Sequence, residues 1–200
     1  DRALRNARAW LEAFPESRDA NRAMLRLLVA TNRVADSASY LRREVELTPA
    51  ANRSATYLAI TQLYNNASDK PLAADVVEQA LSVDLKDPKN GPMAWAAIGH
   101  MRLVANQKAA ALQALQNGES LSPNSGATAL LAMELLESGS TEVEPLVQQL
   151  FALEFRNQKG RRQHVQHIDG GQQGDGDLEG IVHRQRAHHN GAKTAHAAAD

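Results

Sequence analysis

Residues with the types and spacing that chemistry needs fall in three places along this chain. Glu134 and Glu137 stand three apart. On a helix that spacing puts both carboxylates on one face, where a pair could divide acid and base roles. The same spacing is commonplace on any solvated helix face. Arg22 and Arg26 stand one helical turn apart and could grip a carboxylate or phosphate between two guanidinium forks. Arg is equally what a helix shows to water. The third place is the C-terminal stretch 157–200, which holds six of the seven His and no aromatic residue. His164 with His167, or His183 with His188 and His189, could bind a transition metal. Asp175, Asp177 and Glu179 form an acidic loop for calcium only in outline, because the spacing fits neither an EF-hand nor the Gly-rich nonapeptide.

Much other chemistry is excluded. The chain has no Cys, so disulfides, thiolate zinc sites and Cys nucleophiles are absent. It has no nucleophile elbow, no phosphate-cradling Gly loop and no helical His pair with a Glu. The expectation is a protein that is not an enzyme and needs no cofactor or metal. A net charge of −1 gives no general attraction to nucleic acid. The basic residues of the C-terminal stretch are interleaved with acids and lack stacking aromatics. No run approaches the roughly 18 apolar residues that span a bilayer, and no signal peptide is visible. The chain starts at Asp1 inside what reads as a helix, so it reads as a piece of a longer polypeptide. The cysteine usage suits a bacterial cytoplasm or periplasm equally.

The elements that must carry these residues are helices. Aromatics are only 4% of the chain, Ala and Leu abound, and apolar residues recur at three- and four-residue spacing without strand-like alternation. Pro15, Pro49, Pro71, Pro88, Pro92, Pro123 and Pro145 punctuate the pattern. The periodicity predicts helices near 2–13, 18–31, 35–47, 52–66, 70–83, 92–105, 108–120, 125–137 and 142–156. Beyond about Arg156 it stops. Residues 157–200 carry too little apolar surface to offset their ordering entropy and read as a disordered tail. The abrupt turn to Arg, His, Gln, Gly and Asp also has the look of out-of-frame translation.

The helices repeat in pairs. "NRVADSASYLRREVELTP" and "NQKAAALQALQNGESLSP" end alike, at Pro49 and Pro123, and "SDKPLAADVVEQALSVDL" has the same rhythm. In "MAWAAIGHMRLVANQKAAALQALQNGESLSP" Trp95, Ile98 and Gly99 open a cluster, Ala111 and Leu115 follow, and Pro123 closes it. This stretch resembles a tetratricopeptide (TPR) repeat, a helical hairpin of about 34 residues with W-x2-L-G-x2-Y, A-x3-F and a closing P. Arg102 stands where Tyr is usual. A second copy has Tyr57, Ile60 and Tyr64, then Ala73, Val77 and Ala80. A third has Met24 and Leu28, then Ser37, Leu41 and Pro49. A degenerate fourth has Ala132, Met133 and Leu136, then Leu146, Leu150 and Leu153.

The resemblance covers residues 1–156: a partial repeat 1–17, then repeats at about 18–51, 54–90, 92–125 and 126–156. It implies an all-α solenoid in which small residues such as Gly99 and Ala111 let helices approach while Trp95 and Leu115 fill the space beside them. Generic helical solenoids share that logic. The general look is similar to long multi-repeat bacterial TPR proteins. In that family the first helix of each hairpin lines a groove that takes a peptide or protein segment. Carried over, those positions are Arg22 and Arg26; Leu58, Gln62, Asn65 and Asn66; Met93, His100 and Leu103; and Leu130, Glu134 and Glu137. Asn65 and Asn66 could bond a peptide backbone, or could end a helix in left-handed geometry. The implied role is an interaction scaffold for a peptide or protein partner. The alternative is a structural spacer or self-association module with no groove ligand.

Overall fold

The computed structural model describes residues 2–153. The chain divides into two units, Asp1–Ala152 and Leu153–Asp200. Of the second only Leu153 is described, so the expectations for residues 157–200, their His and acidic clusters included, lie outside the described residues.

The regular structure of the described residues is all helical, with no strand among them. The helices are α1 (Arg2–Ala13), α2 (Arg18–Ala30), α3 (Ala38–Glu46), α4 (Arg53–Tyr64), α5 (Lys70–Leu81), α6 (Gly91–Val104), α7 (Lys108–Leu121) and α8 (Gly126–Glu137), followed by α9 (residues 144–153). Single 3-10 turns lead into α3 (Ala35–Ser37), α4 (Ala50–Asn52) and α9 (Thr141–Val143), and another extends α5 (Ser82–Asp84). These turns account for most of the difference from the expected bounds. The expected helix at 35–47, for example, begins as a 3-10 turn in which both the Ser37 N–H and the Ser37 hydroxyl donate to the Val34 carbonyl, at 3.1 and 2.6 Å.

Local chemistry explains the ends. Ser17, Asp69 and Ser125 are N-caps, each accepting from a backbone N–H three residues on, which satisfies donors the helix cannot. Three helices stop in the same way. Asn32, Asn106 and Gly139 adopt left-handed φ of 56°, 59° and 88°. The next residue's N–H then reaches back five positions: Arg33 to Leu28, Gln107 to Arg102 and Ser140 to Leu135, at 2.7, 2.8 and 3.0 Å. This double closure takes up the last free carbonyls of α2, α6 and α8. Asn65 ends α4 differently, with an ordinary φ of −61°. Neither it nor Asn66 is left-handed, which corrects the left-handed alternative for that pair.

Packing runs between helices that are neighbours, or next neighbours but one, in the chain. α6 packs on α7, α8, α5 and α4; α3 packs on α2 and α5; α1 packs on α2. One buried cluster draws on α2 to α7, with Leu41, Tyr57, Tyr64, Val77, Leu81 and Met101 fully enclosed. A second joins Ala111 and Leu115 of α7, Leu131, Ala132 and Leu135 of α8, and Val147 of α9. A third sets Leu4 and Ala7 of α1 against Met24 and Leu28 of α2.

Glycine sets the closest approaches. A Cβ on Gly99 would collide with the Leu131 side chain, and one on Gly118 would sit 2.7 Å from Thr128 Cγ2. Tyr57, Tyr64, Ala73, Ala80, Gly99, Ala111 and Leu115 are all buried. Trp95 is only partly buried but packs against the first cluster, with its indole N–H donating to the Leu85 carbonyl at 3.1 Å. One packing expectation needs correction. Pro123 is exposed in the turn before α8 and packs on nothing central. On α8 the inward positions are Thr128, Leu131, Ala132 and Leu135, whereas Met133 faces out.

Candidate functional site

α4, α6 and α8 lie side by side through the contacts of α6 with each of the other two. Between them is a cleft of about 220 Å³. Its floor is α6, where Ala96 and Ala97 take so little room that the surface dips, with Met93 and His100 at either end. Leu58, Thr61, Gln62 and Asn65 of α4 form one wall, and Ala127, Leu130, Leu131 and Glu134 of α8 form the other. Leu58 and Leu130 are 59% and 64% exposed, so two large apolar side chains stand in water on the cleft's two lips.

One row of polar contacts crosses all three helices. Asn65 Nδ2 lies 2.9 Å from His100 Nε2, and His100 Nδ1 lies 2.8 Å from Glu134 Oε2. With the amide donating to Nε2, the ring proton sits on Nδ1 and is donated to the carboxylate. The buried Asn65 Oδ1 has no partner. An Asn–His–Glu row is a shape that could relay a proton, but the lining offers it no nucleophile. The one hydroxyl, on Thr61, donates to the Leu58 carbonyl at 2.8 Å. Among the described residues, no group of three His, Cys, Asp or Glu side chains is placed to hold a metal ion.

Seven of the residues that the sequence marks for a groove therefore line one cleft: Leu58, Gln62, Asn65, Met93, His100, Leu130 and Glu134. The other five do not. Asn66 is exposed and donates to the Gln62 carbonyl at 3.1 Å. Leu103 packs against the α7–α8 cluster. Glu137 is exposed on the last turn of α8. Arg22 and Arg26 line a separate, smaller recess with Glu44 and Thr56.

In that recess Arg22 has a partner from another helix. Glu44 is buried on α3, and its Oε1 accepts from Arg18 Nε at 2.7 Å and from Arg22 Nε at 2.8 Å. Arg18 also donates to the Thr48 and Thr56 hydroxyls at 2.5 and 3.0 Å. Arg22 thus gives its Nε to an internal carboxylate while its side chain stays 42% exposed, and Arg26 is exposed beside it. Sequence spacing missed this because Glu44 lies 22 residues from Arg22 on a different helix.

Other charges are also taken up internally. Asp84 is buried and is held by Arg53 and the Tyr57 hydroxyl. Arg102, at the position where the TPR pattern has Tyr, bonds Asp75 at 2.6 Å and also Glu78. Burial works against the Arg102 charge, but these two carboxylates more than offset it and raise its pKa. A broader depression of about 690 Å³ lies between α1 and α3. Two of its three Arg side chains are paired, Arg42 with Glu46 at 3.1 Å and Arg43 with Glu16 at 2.8 Å. The α4–α6–α8 cleft leaves two large apolar side chains, Leu58 and Leu130, uncovered beside polar ones.

No helix among the described residues is long and apolar enough to cross a membrane. Comparison with protein families, with curated proteins and with solved structures finds no match to this chain.

Proposed function

We propose that this protein is an interaction scaffold: a TPR-like solenoid of helical pairs that takes a peptide or protein segment in the cleft between α4, α6 and α8. Support for the solenoid comes from the packing, which joins helices close in chain order. A row of pairs has that pattern, because each pair hides its apolar faces against the next. On this reading α4, α6 and α8 are the first helices of three successive pairs, and the cleft lies on the face where TPR-like arrays take ligands.

The observation that carries the binding role is the exposure of Leu58 and Leu130 on facing lips of one cleft. Apolar side chains standing together in water around a concave surface favour a ligand that covers them. The test is selection of peptides from a displayed random library by the whole chain, followed by affinity measurement on Leu58→Asp with Leu130→Asp. Both side chains are exposed, so helicity stays unchanged. Loss of binding by at least tenfold is expected. Selected peptides that bind the double variant as tightly as the parent overturn the assignment.

A spacer is the second reading, favoured by the internal use of charge. Glu44, Asp84 and Arg102 tie helices to one another instead of facing outward. A spacer tolerates changes at Leu58 and Leu130 and responds to the number of helical pairs instead.

A further inference from the structure

We propose that the cleft selects a segment in which an apolar side chain is flanked by a Lys or Arg, with Glu134 as the residue that reads the cation. This inference rests on the groove reading and adds the charge of the ligand to it.

The argument begins with what lines the cleft. Glu134 is its one acidic side chain, and neither Lys nor Arg is among the described residues that line it. Cations near by are occupied elsewhere. Lys70 donates to the Asn65 backbone carbonyl. Arg102, on the same helix as His100, is held by Asp75 and Glu78 of α5. Glu134 is 40% exposed at the side chain and gives only Oε2 to His100. Its other oxygen takes no hydrogen bond among the described residues, and an anionic acceptor on a concave surface is a place for a cation.

His100 acts here as a positioning residue. Its Nδ1–H fixes one carboxylate oxygen, Asn65 fixes the ring, and the free oxygen is thereby held beside Leu130, one turn back on α8. A ligand that buries an apolar side chain against Leu58 and Leu130 brings its next residues to that oxygen. A Glu or Asp there meets an unneutralised carboxylate, a Lys or Arg a waiting acceptor.

The experiment uses the whole chain and a panel of labelled, end-blocked synthetic peptides. Each carries a central Leu with Lys, Gln or Glu at each flanking position in turn, and binding is read by fluorescence anisotropy. At the best flanking position the Lys peptide is expected to bind about tenfold tighter than the Glu peptide, as attraction is exchanged for repulsion at a half-exposed site, with the ratio shrinking as salt is added. Glu134→Gln keeps an acceptor for His100 and removes the charge, and should bring the ratio to about threefold or less. Glu134→Lys should invert it.

Lys and Glu peptides that bind within twofold of each other, yet lose affinity on Leu58→Asp with Leu130→Asp, overturn the charge selection and leave the groove standing. Failure of every peptide to bind overturns both. A sedimentation coefficient that rises with protein concentration and falls back in Leu130→Asp gives the cleft to a second copy, and overturns the proposal too.

Discussion

At the scale of single residues, the glycines and the buried carboxylates decide most. Alanine at a helical Gly gains up to about 1 kcal/mol of propensity, while overfilling a packed contact costs about 1–3 kcal/mol. The sign depends on the room. Gly99 has Leu131 directly against it, whereas nothing lies within 4 Å of a Cβ at Gly126. Gly99→Ala is therefore expected to destabilise by roughly 1 kcal/mol, and Gly126→Ala to be neutral or slightly stabilising, as read by chemical denaturation. Glu44 gives a second asymmetry. Replacing Arg18 and Arg22 together by Met strands a buried charge and is expected to cost about 3–5 kcal/mol. Glu44→Gln returns two half-exposed guanidiniums to water and should cost far less.

Tyr64 supplies a pH dependence of definite sign. Burial pushes its phenol up to about 12, with the Ser37 hydroxyl bond pulling weakly the other way. The unfolded chain ionises near pH 10, before the folded one, so the folded state holds more protons in that window. Stability from this group is complete below pH 10 and is lost as pH climbs toward 12, by about 2–3 kcal/mol at most. Tyr64→Phe should flatten that part of the stability profile, and a Tyr64 that ionises near pH 10 in the folded protein would contradict it.

At the scale of elements, the ends of helices were the most readable feature. Prolines and caps act within a few residues, so α1, α2, α6, α7 and α8 begin and end within a residue or so of where periodicity puts them. The 3-10 turns escaped because α and 3-10 geometry share the same apolar spacing over one turn. The cleft was legible in part for a related reason. Period 3.6 places Leu58, Gln62 and Asn65 on one face, and Met93 with His100 on another, but it does not say which faces meet. Only the fold puts Asn65 against His100 and His100 against Glu134. Arg22 looked available for the opposite reason: its partner arrives from another helix. The shared stop of α2 and α6 yields a prediction at this scale. Asn32 and Asn106 occupy left-handed backbone, which suits Gly better than any other residue. Asn106→Gly should be neutral or stabilising, whereas Asn106→Ala should cost about 1 kcal/mol in thermal unfolding.

At the scale of the whole molecule, local packing implies graded stability. α1 has its main contact with α2 alone, whereas α6 is held by four other helices. Amide hydrogen exchange is expected to release α1 well before α6, since segments with few buried contacts open at lower free energy. Equal protection in the two would mean that the described helices unfold as one block. Trp10 on α1 and Phe14 just after it lie exposed, 43% and 61% open, so a change at either should leave the protection of α6 untouched.

The row from Asn65 through His100 to Glu134 has one mechanical consequence. Two hydrogen bonds in series share a single ring, and such bonds weaken steeply with distance and angle. Opening the cleft on its α4 side therefore gives up the Asn65–His100 bond, and opening it on its α8 side gives up the His100–Glu134 bond, each on the order of 1 kcal/mol.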